Sequence, residues 1–220
     1  MNETPDGVSR KQAFIDRQKA GHPERAVGED PTPQQRDAVD QYAFTLMSEV
    51  EAAVREEVEA LTPENGTSSV RTKTADGLFD KVHRMVASGR PAYEVGDVID
   101  AVGARITVNS MEHLGSVLST IQQRFGTGEH GRILEVENMY ADPKRKNPAY
   151  RVIPMVVRID VNGAAYTYEL QLTTHRASVA ADLEHNTLFK QYHDLTPGQR
   201  QLIARMFSEA AALDQEESRR

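Results

Sequence analysis

The stretch "YRVIPMVVRIDVNGAAYTYELQLTT", residues 150–174, constrains the fold more than any other part of the 220-residue chain. β-Branched and aromatic residues fill both halves. Asn162-Gly163 stands between them, a pair that tolerates the positive φ angles of a two-residue hairpin turn. Alternation puts Tyr166, Tyr168, Leu170 and Leu172 on one side of the second strand and Glu169, Gln171 and Thr173 on the other. A lone hairpin is marginal in water, so its apolar side requires further strands and covering helices.

The remaining sequence supplies them. "SSVRTKT" (68–74), "AVGARITV" (101–108) and "RILEVENMY" (132–140) read as strands. "DPTPQQRDAVDQYAFTLMSEVEAAVREEVEAL" (30–61) reads as a helix, with Thr32 as its cap and Pro33 in its first turn. Val39, Tyr42, Leu46, Val50, Val54, Val58 and Leu61 recur there every three or four residues and make one apolar face. Further helices are predicted over 75–88, ending near Gly89, then 111–125, 175–194 and 196–215. The order α, β, α, β, α, β, β, β, α, α predicts a mixed sheet flanked by helices. Residues 1–30 are polar, with Gly7, Gly21, Pro23 and Gly28, and read as a flexible arm containing a short helix. Residues 31–215 read as a single domain and 216–220 as a tail.

Composition bounds the function. Hydrophobic residues make up 39% and charged residues 27%, the balance of a soluble globular chain. No apolar run approaches the ~18 residues of a membrane span, and the N-terminus lacks the apolar segment of a secretory signal. Cysteine is absent, which excludes disulfides, thiolate metal sites and cysteine nucleophiles and fits a cytoplasmic location. The formal net charge of −7 argues against broad nucleic-acid binding. Yet the acid is concentrated in residues 34–64, where two arginines face eight carboxylates. The remaining chain can still build a cationic pocket.

Four features carry chemistry. In "VRTKTADGLFDKVHR" (70–84), Arg71 and Lys73 share a strand face, and Lys81 and Arg84 a helix face. Four converging cations would suit a triphosphate, although scattered surface cations are the plainer reading of the pattern. Asp100 stands before the strand at 101–108, placed to hold Mg²⁺ together with phosphate oxygens, or simply as a loop aspartate. Glu169, on the polar side of its strand beside Gln171, could be a general base or metal ligand, or face solvent. In "DPKRKNPAYR", Lys144, Arg145, Lys146 and Arg151 surround Tyr150, which suits stacking on a base and gripping its phosphates. An exposed hairpin shoulder looks the same.

Taken in order, "RTKT…KVHR", "DAVGARI", "PK…NPAYR", "ELQLTT" and "LEHNTLFK" resemble the synthetase domain of RelA/SpoT proteins, from about residue 68 to 190. The resemblance implies an α+β, nucleotidyltransferase-like fold with a mainly antiparallel five-stranded sheet. It implies a pyrophosphokinase that moves pyrophosphate from ATP to a ribose 3′-hydroxyl, usually of GDP or GTP, giving (p)ppGpp. Some relatives make adenosine analogues, and some are toxins that modify the 3′ end of tRNA and are restrained by a separate antitoxin. By motif, Arg71 and Arg105 would sandwich adenine, and Lys73, Lys81 and Arg84 would hold the ATP phosphates. Asp100 and Glu169 would bind Mg²⁺. Glu169 would also be the base, supported by Gln171. Tyr150 would stack on the acceptor's base, with Lys144, Lys146, Asn147 and Arg151 around it. His185 matches a family position and reads as structural, whereas His193-Asp194 reads as helix surface.

The acceptor side departs from the family pattern. Val152 and Pro154 replace a hydroxyl and an imidazole, and Thr173 replaces an arginine. These changes leave room for another acceptor, such as the terminal adenosine of tRNA. No hydrolase domain is recognisable, so a stand-alone synthetase or toxin is expected, with homo-oligomer formation as in small relatives. A nucleotide-binding module without catalysis is the alternative of another class, and the presence of both Asp100 and Glu169 argues against it. A nucleic-acid-binding protein using the loop at 144–151 is a third reading. The loop is short and the net charge opposed, which restricts it to tRNA docking.

Overall fold

Asn162 and Gly163 take φ angles of 51° and 80°, and close the hairpin as their identities require. The computed structural model describes residues 9–127, 130–145, 147–184 and 196–219. The hairpin strands are β4 (Ile153–Val161) and β5 (Ala164–Thr174). They join β1 (Thr67–Thr72), β2 (Val102–Val108) and β3 (Ile133–Val136) in a five-stranded sheet of order β1-β2-β5-β4-β3. Only β2 and β5 are parallel; the other pairs are antiparallel. The expected α+β architecture with a mixed, mainly antiparallel sheet is therefore present.

Helices cover the apolar side. α2 (Pro33–Thr45) starts at Thr32, whose hydroxyl accepts from the Gln35 amide in a reciprocal capping box. It runs through a π-helical turn, Leu46–Val50, into α3 (Glu51–Glu59). Val39, Leu46, Val50, Val54 and Val58 are buried in one core with Ile106, Tyr168, Leu170 and Leu172. A polar clamp ties α3 to the hairpin. Arg132 grips both Glu57 oxygens at 2.6 and 2.7 Å, and the Tyr168 hydroxyl donates to Glu57 at 2.9 Å. Burial first, and the Glu57 charge second, push the Tyr168 phenol far up, so it remains a donor.

α4 (Ala75–Ala87) is capped by Thr74 and ends before Gly89, whose φ of 94° lets the chain reverse. α5 (Met111–Phe125) adds Leu114, Val117, Ile121 and Phe125 to the same core. α6 (His175–Glu184) continues directly from β5, and α7 (Pro197–Glu217) begins at Thr196-Pro197 as the sequence predicts. His185, His193 and Asp194 lie outside the described residues. Among the described residues no helix is long and apolar enough to cross a membrane.

One expectation is corrected. Of the stretch read as a flexible arm, the described residues 9–30 are docked. α1 (Arg10–Gly21) buries Phe14 and Ile15, with Phe14 packed on Leu134 and Val156. Arg10 donates to the carbonyls of Thr127, Gly131 and Ile133 at 2.8–3.0 Å. Lys19 sits 3.1 Å from both Glu94 and Asp97. Arg25, only 4% exposed, lies between the Tyr42 and Tyr166 rings and donates to the Ala165 carbonyl at 3.1 Å. Gly96 permits the docking, because a Cβ there would stand 2.6 Å from Lys19 Cγ and 2.9 Å from the Arg25 carbonyl oxygen. Gly96→Ala is thus expected to destabilise the protein by about 1–3 kcal/mol through overpacking, read as a lowered melting temperature.

Candidate active site

Register decides which side chains meet. Arg71 pairs with Gly103, Gly103 with Glu169, and Glu169 with Val156, so these four form one row across the sheet. Ser69, Arg105, Gln171 and Pro154 form the next row. Paired residues share a sheet face. Gly103 leaves space in the first row, and the Arg71 side chain lies over it. The polar side of β5 therefore faces a cleft, and three cavities open from it.

The first cavity, about 270 Å³, is lined by Arg71, Arg105, Glu169, Gln171 and Asp182. Arg105 is held by α6: it donates to Ser178 at 3.2 Å and Asp182 at 2.8 Å, and to Gln171 at 3.3 Å. The second, about 590 Å³, is lined by Lys81, Arg90, Asp97, Asp100 and Glu169, and by Lys11, Gln12, Ile15 and Lys19 of α1. The third, about 270 Å³, is lined by Lys144, Tyr150, Val152, Pro154, Glu169 and Gln171, with Glu135 and Glu137 at its edge. Glu169 lines all three. Gln171 donates to its Oε2 at 2.7 Å and so fixes its orientation.

Asp100 gathers two of the cations expected at the ATP phosphates. Lys73 Nζ is 2.9 Å from Oδ2, and Lys81 Nζ is 3.7 Å from Oδ1. Burial alone would raise this carboxyl. The Lys73 hydrogen bond and charge, with the Lys81 charge, outweigh it and hold the group below the usual carboxylate range. Oδ1 is nevertheless buried without a hydrogen-bond partner. Burial, with Asp100 and Asp97 nearby, pushes the Tyr93 phenol up to about 12. It stays neutral and donates to the Asp97 carbonyl at 2.8 Å, bracing the loop that carries Asp100.

Arg84, Arg151 and Asn147 are not among the residues lining these three cavities. Arg84 is exposed and donates back to the Asp80 carbonyl of its own helix at 3.3 Å. It is not among the residues lining these cavities, because its side chain folds along the outer face of α4. Arg151 lines a separate cavity of about 190 Å³ with Tyr140 and Asp214. The cause is strand alternation: Tyr150, Val152, Pro154 and Val156 line the third cavity, and Arg151 falls on the opposite side. Lys146 lies outside the described residues. Asn147 is half-buried in the loop, where its carbonyl accepts from the Tyr150 amide at 3.2 Å. Lys144 pairs with Glu137 at 3.2 Å.

Residues not anticipated are Lys11, Gln12 and Arg90 in the second cavity, Glu135 and Glu137 at the third, and Ser178 and Asp182 behind Arg105. Lys11 and Lys19 are eight residues apart, the spacing of one helical face, and this was the available signal for α1.

Fold and site together define an α+β domain with a cation-lined cleft on one face of a mixed sheet, centred on a strand carboxylate. A sequence-family profile described as "Region found in RelA / SpoT proteins" matches residues 70–194, more than half of the chain, and the chain belongs to that family. Among solved structures, it resembles small alarmone synthetase 2 from Bacillus subtilis at 20% identity, covering 83% of this chain and 95% of that one, with a TM-score of 0.61. A GTP pyrophosphokinase family protein from Streptococcus pneumoniae is 17% identical over 86% of this chain and 93% of that one, TM-score 0.59. Small alarmone synthetase 1 from Bacillus subtilis, bound to its product pppGpp, is 19% identical over 84% and 91%, TM-score 0.55. These likenesses establish the shared fold. Among curated protein sequences none matches.

Proposed function

We propose that the protein is a Mg²⁺-dependent pyrophosphokinase that transfers pyrophosphate from ATP to a ribose 3′-hydroxyl, with GDP or GTP as acceptor. The observation that carries this reading is Glu169, one carboxylate shared by three cavities. Family membership and the likeness to a small alarmone synthetase and a GTP pyrophosphokinase family protein support it.

In this reading adenine lies between Arg71 and Arg105 in the first cavity. The phosphates run toward Lys81 and the Lys73–Asp100 pair. The acceptor occupies the third cavity, its base stacked on Tyr150 and its phosphates beside Lys144. Glu169 stands at the junction and takes the proton of the 3′-hydroxyl. The oxygen attacks the β-phosphorus, the bridge between the α- and β-phosphates breaks, and AMP leaves. Catalysis of this kind rests on positioning and charge stabilisation.

The residues present fit a magnesium ion. Asp100 Oδ1 is buried and lacks a hydrogen-bond partner, and Asp100 and Glu169 line one cavity. Among the described residues no cluster of three or more His, Asp or Glu gathers, so substrate oxygens and water would complete the shell. Bound there, the ion would neutralise charge developing on the transferred phosphates.

A second reading has its own observation. Among the described residues lining the third cavity, Lys144 is the one cation, against Glu135, Glu137 and Glu169. Ile99, Met139, Val152, Pro154 and Val156 make the remaining wall largely apolar. On this second reading the cavity receives a free guanosine polyphosphate poorly. It suits a nucleoside end without terminal phosphates, as in the 3′ end of tRNA, for which a separate antitoxin chain would provide restraint.

Incubation with γ-labelled ATP, Mg²⁺ and GDP, GTP, AMP or bulk tRNA separates the acceptors. Labelled GDP or GTP supports the first reading, and labelled tRNA the second. ATP binding with no labelled acceptor would reduce the protein to a nucleotide-binding module. Tyr150→Ala is expected to raise the acceptor KM about tenfold, from lost base stacking, with ATP affinity unchanged. Loss of ATP binding in that variant would mean the two nucleotide sites are interchanged.

A further inference from the structure

We propose that α1 is a wall of the donor site and that Lys11 is a ligand for the ATP phosphates. The inference rests on the assignment of the second cavity to those phosphates.

The cations available from α4 and its approach are too few. Lys81 lines the cavity, Lys73 is engaged by Asp100 at 2.9 Å, and Arg84 is turned to the Asp80 carbonyl. A polyphosphate needs several donors at once. Further groups lining the same cavity supply them, Lys11 and Gln12 on α1 and Arg90 on the loop after α4. Lys19 also faces the cavity but is held between Glu94 and Asp97. Lys11 differs. Its partner is Glu135, at 2.6 Å, whose side chain is 41% exposed. The pair is half-buried, Lys11 being 24% exposed, but one carboxylate holds Lys11 where two hold Lys19, so an incoming phosphate can replace it.

Position agrees with this role. Phe14 seats α1 on Val156, which pairs with Glu169 across β4 and β5. Glu135 borders the third cavity and Lys11 the second, so their ion pair stands on the boundary between donor and acceptor. The three Arg10 bonds, the Lys19 pins and the buried Arg25 hold the helix in place. Lys11 is therefore presented to the cleft by a fixed scaffold, and little order has to be created on binding.

The test is the affinity of the full-length protein for a non-hydrolysable ATP analogue, by calorimetry with Mg²⁺ and no acceptor. Lys11→Ala is expected to weaken binding about tenfold, and Lys11→Arg to restore most of it. Glu135→Gln, which releases Lys11, is expected to tighten it by about twofold to fivefold. Thermal melts of each variant identify any loss of folding. Wild-type binding with Lys11→Ala and Glu135→Gln both unchanged would overturn the inference and leave the proposed function standing. Failure of the wild-type protein to bind the analogue would remove both.

Discussion

Glu169→Gln is expected to lower the transfer rate by about a thousandfold, within the range lost with a general base, while ATP affinity changes only a few-fold. Among the described residues Glu169 is the one titratable side chain that lines all three cavities, which places it to receive the acceptor's proton beside the donor phosphates. Glutamine keeps the size and can still meet Gln171 through its amide, so the strand register and the Gln171 contact at 2.7 Å give no reason for unfolding. The loss should fall on kcat, with KM for ATP held by Arg71, Arg105 and Lys81. Single-turnover transfer from labelled ATP, beside analogue binding, checks the split. A variant that retains more than a tenth of the wild-type rate would remove Glu169 from the chemistry.

Much of this site is legible in the chain because the alternation of side chains along a strand is a local property. The period-2 pattern of β5 separates Glu169 and Gln171 from Tyr168, Leu170 and Leu172, and the structure keeps that division. Gly103 and Arg105 then fall beside Glu169 and Gln171 through the parallel pairing of β2, which no pattern within either strand specifies. The α1 wall was hidden for a related reason. Phe14 and Ile15 are its only large apolar residues, too few to announce a buried face. Its docking depends on Gly96 and on Tyr42 and Tyr166, all distant in sequence. Arg151 shows the opposite failure. Reading 144–151 as one basic loop overlooked that alternation already begins at Tyr150 and sends its neighbour to the other side. Arg84 lies away from the cavities because sharing a helix face fixes where a side chain starts and leaves open where it ends.

Asp100→Asn is expected to abolish detectable transfer and to separate two roles of the carboxylate. Its negative charge holds Lys73 at 2.9 Å and Lys81 at 3.7 Å, and its Oδ1 is free of hydrogen bonds. Asparagine leaves both lysines without their counter-charge in a half-buried setting, and a loss of about 1–2 kcal/mol of stability follows, between the values for exposed and buried pairs. The freed lysines should bind ATP in EDTA at least as well as the wild-type protein does. Mg²⁺ should then tighten the wild-type complex and leave that of Asp100→Asn unchanged, since the site has lost one of its two carboxylates. The comparison isolates the metal from the phosphate contacts, because the lysines are the same in both proteins and only the anion between them differs. An equal Mg²⁺ enhancement in both would mean that Asp100 orders the lysines and holds no ion, and Glu169 with the phosphates would have to bind the metal unaided.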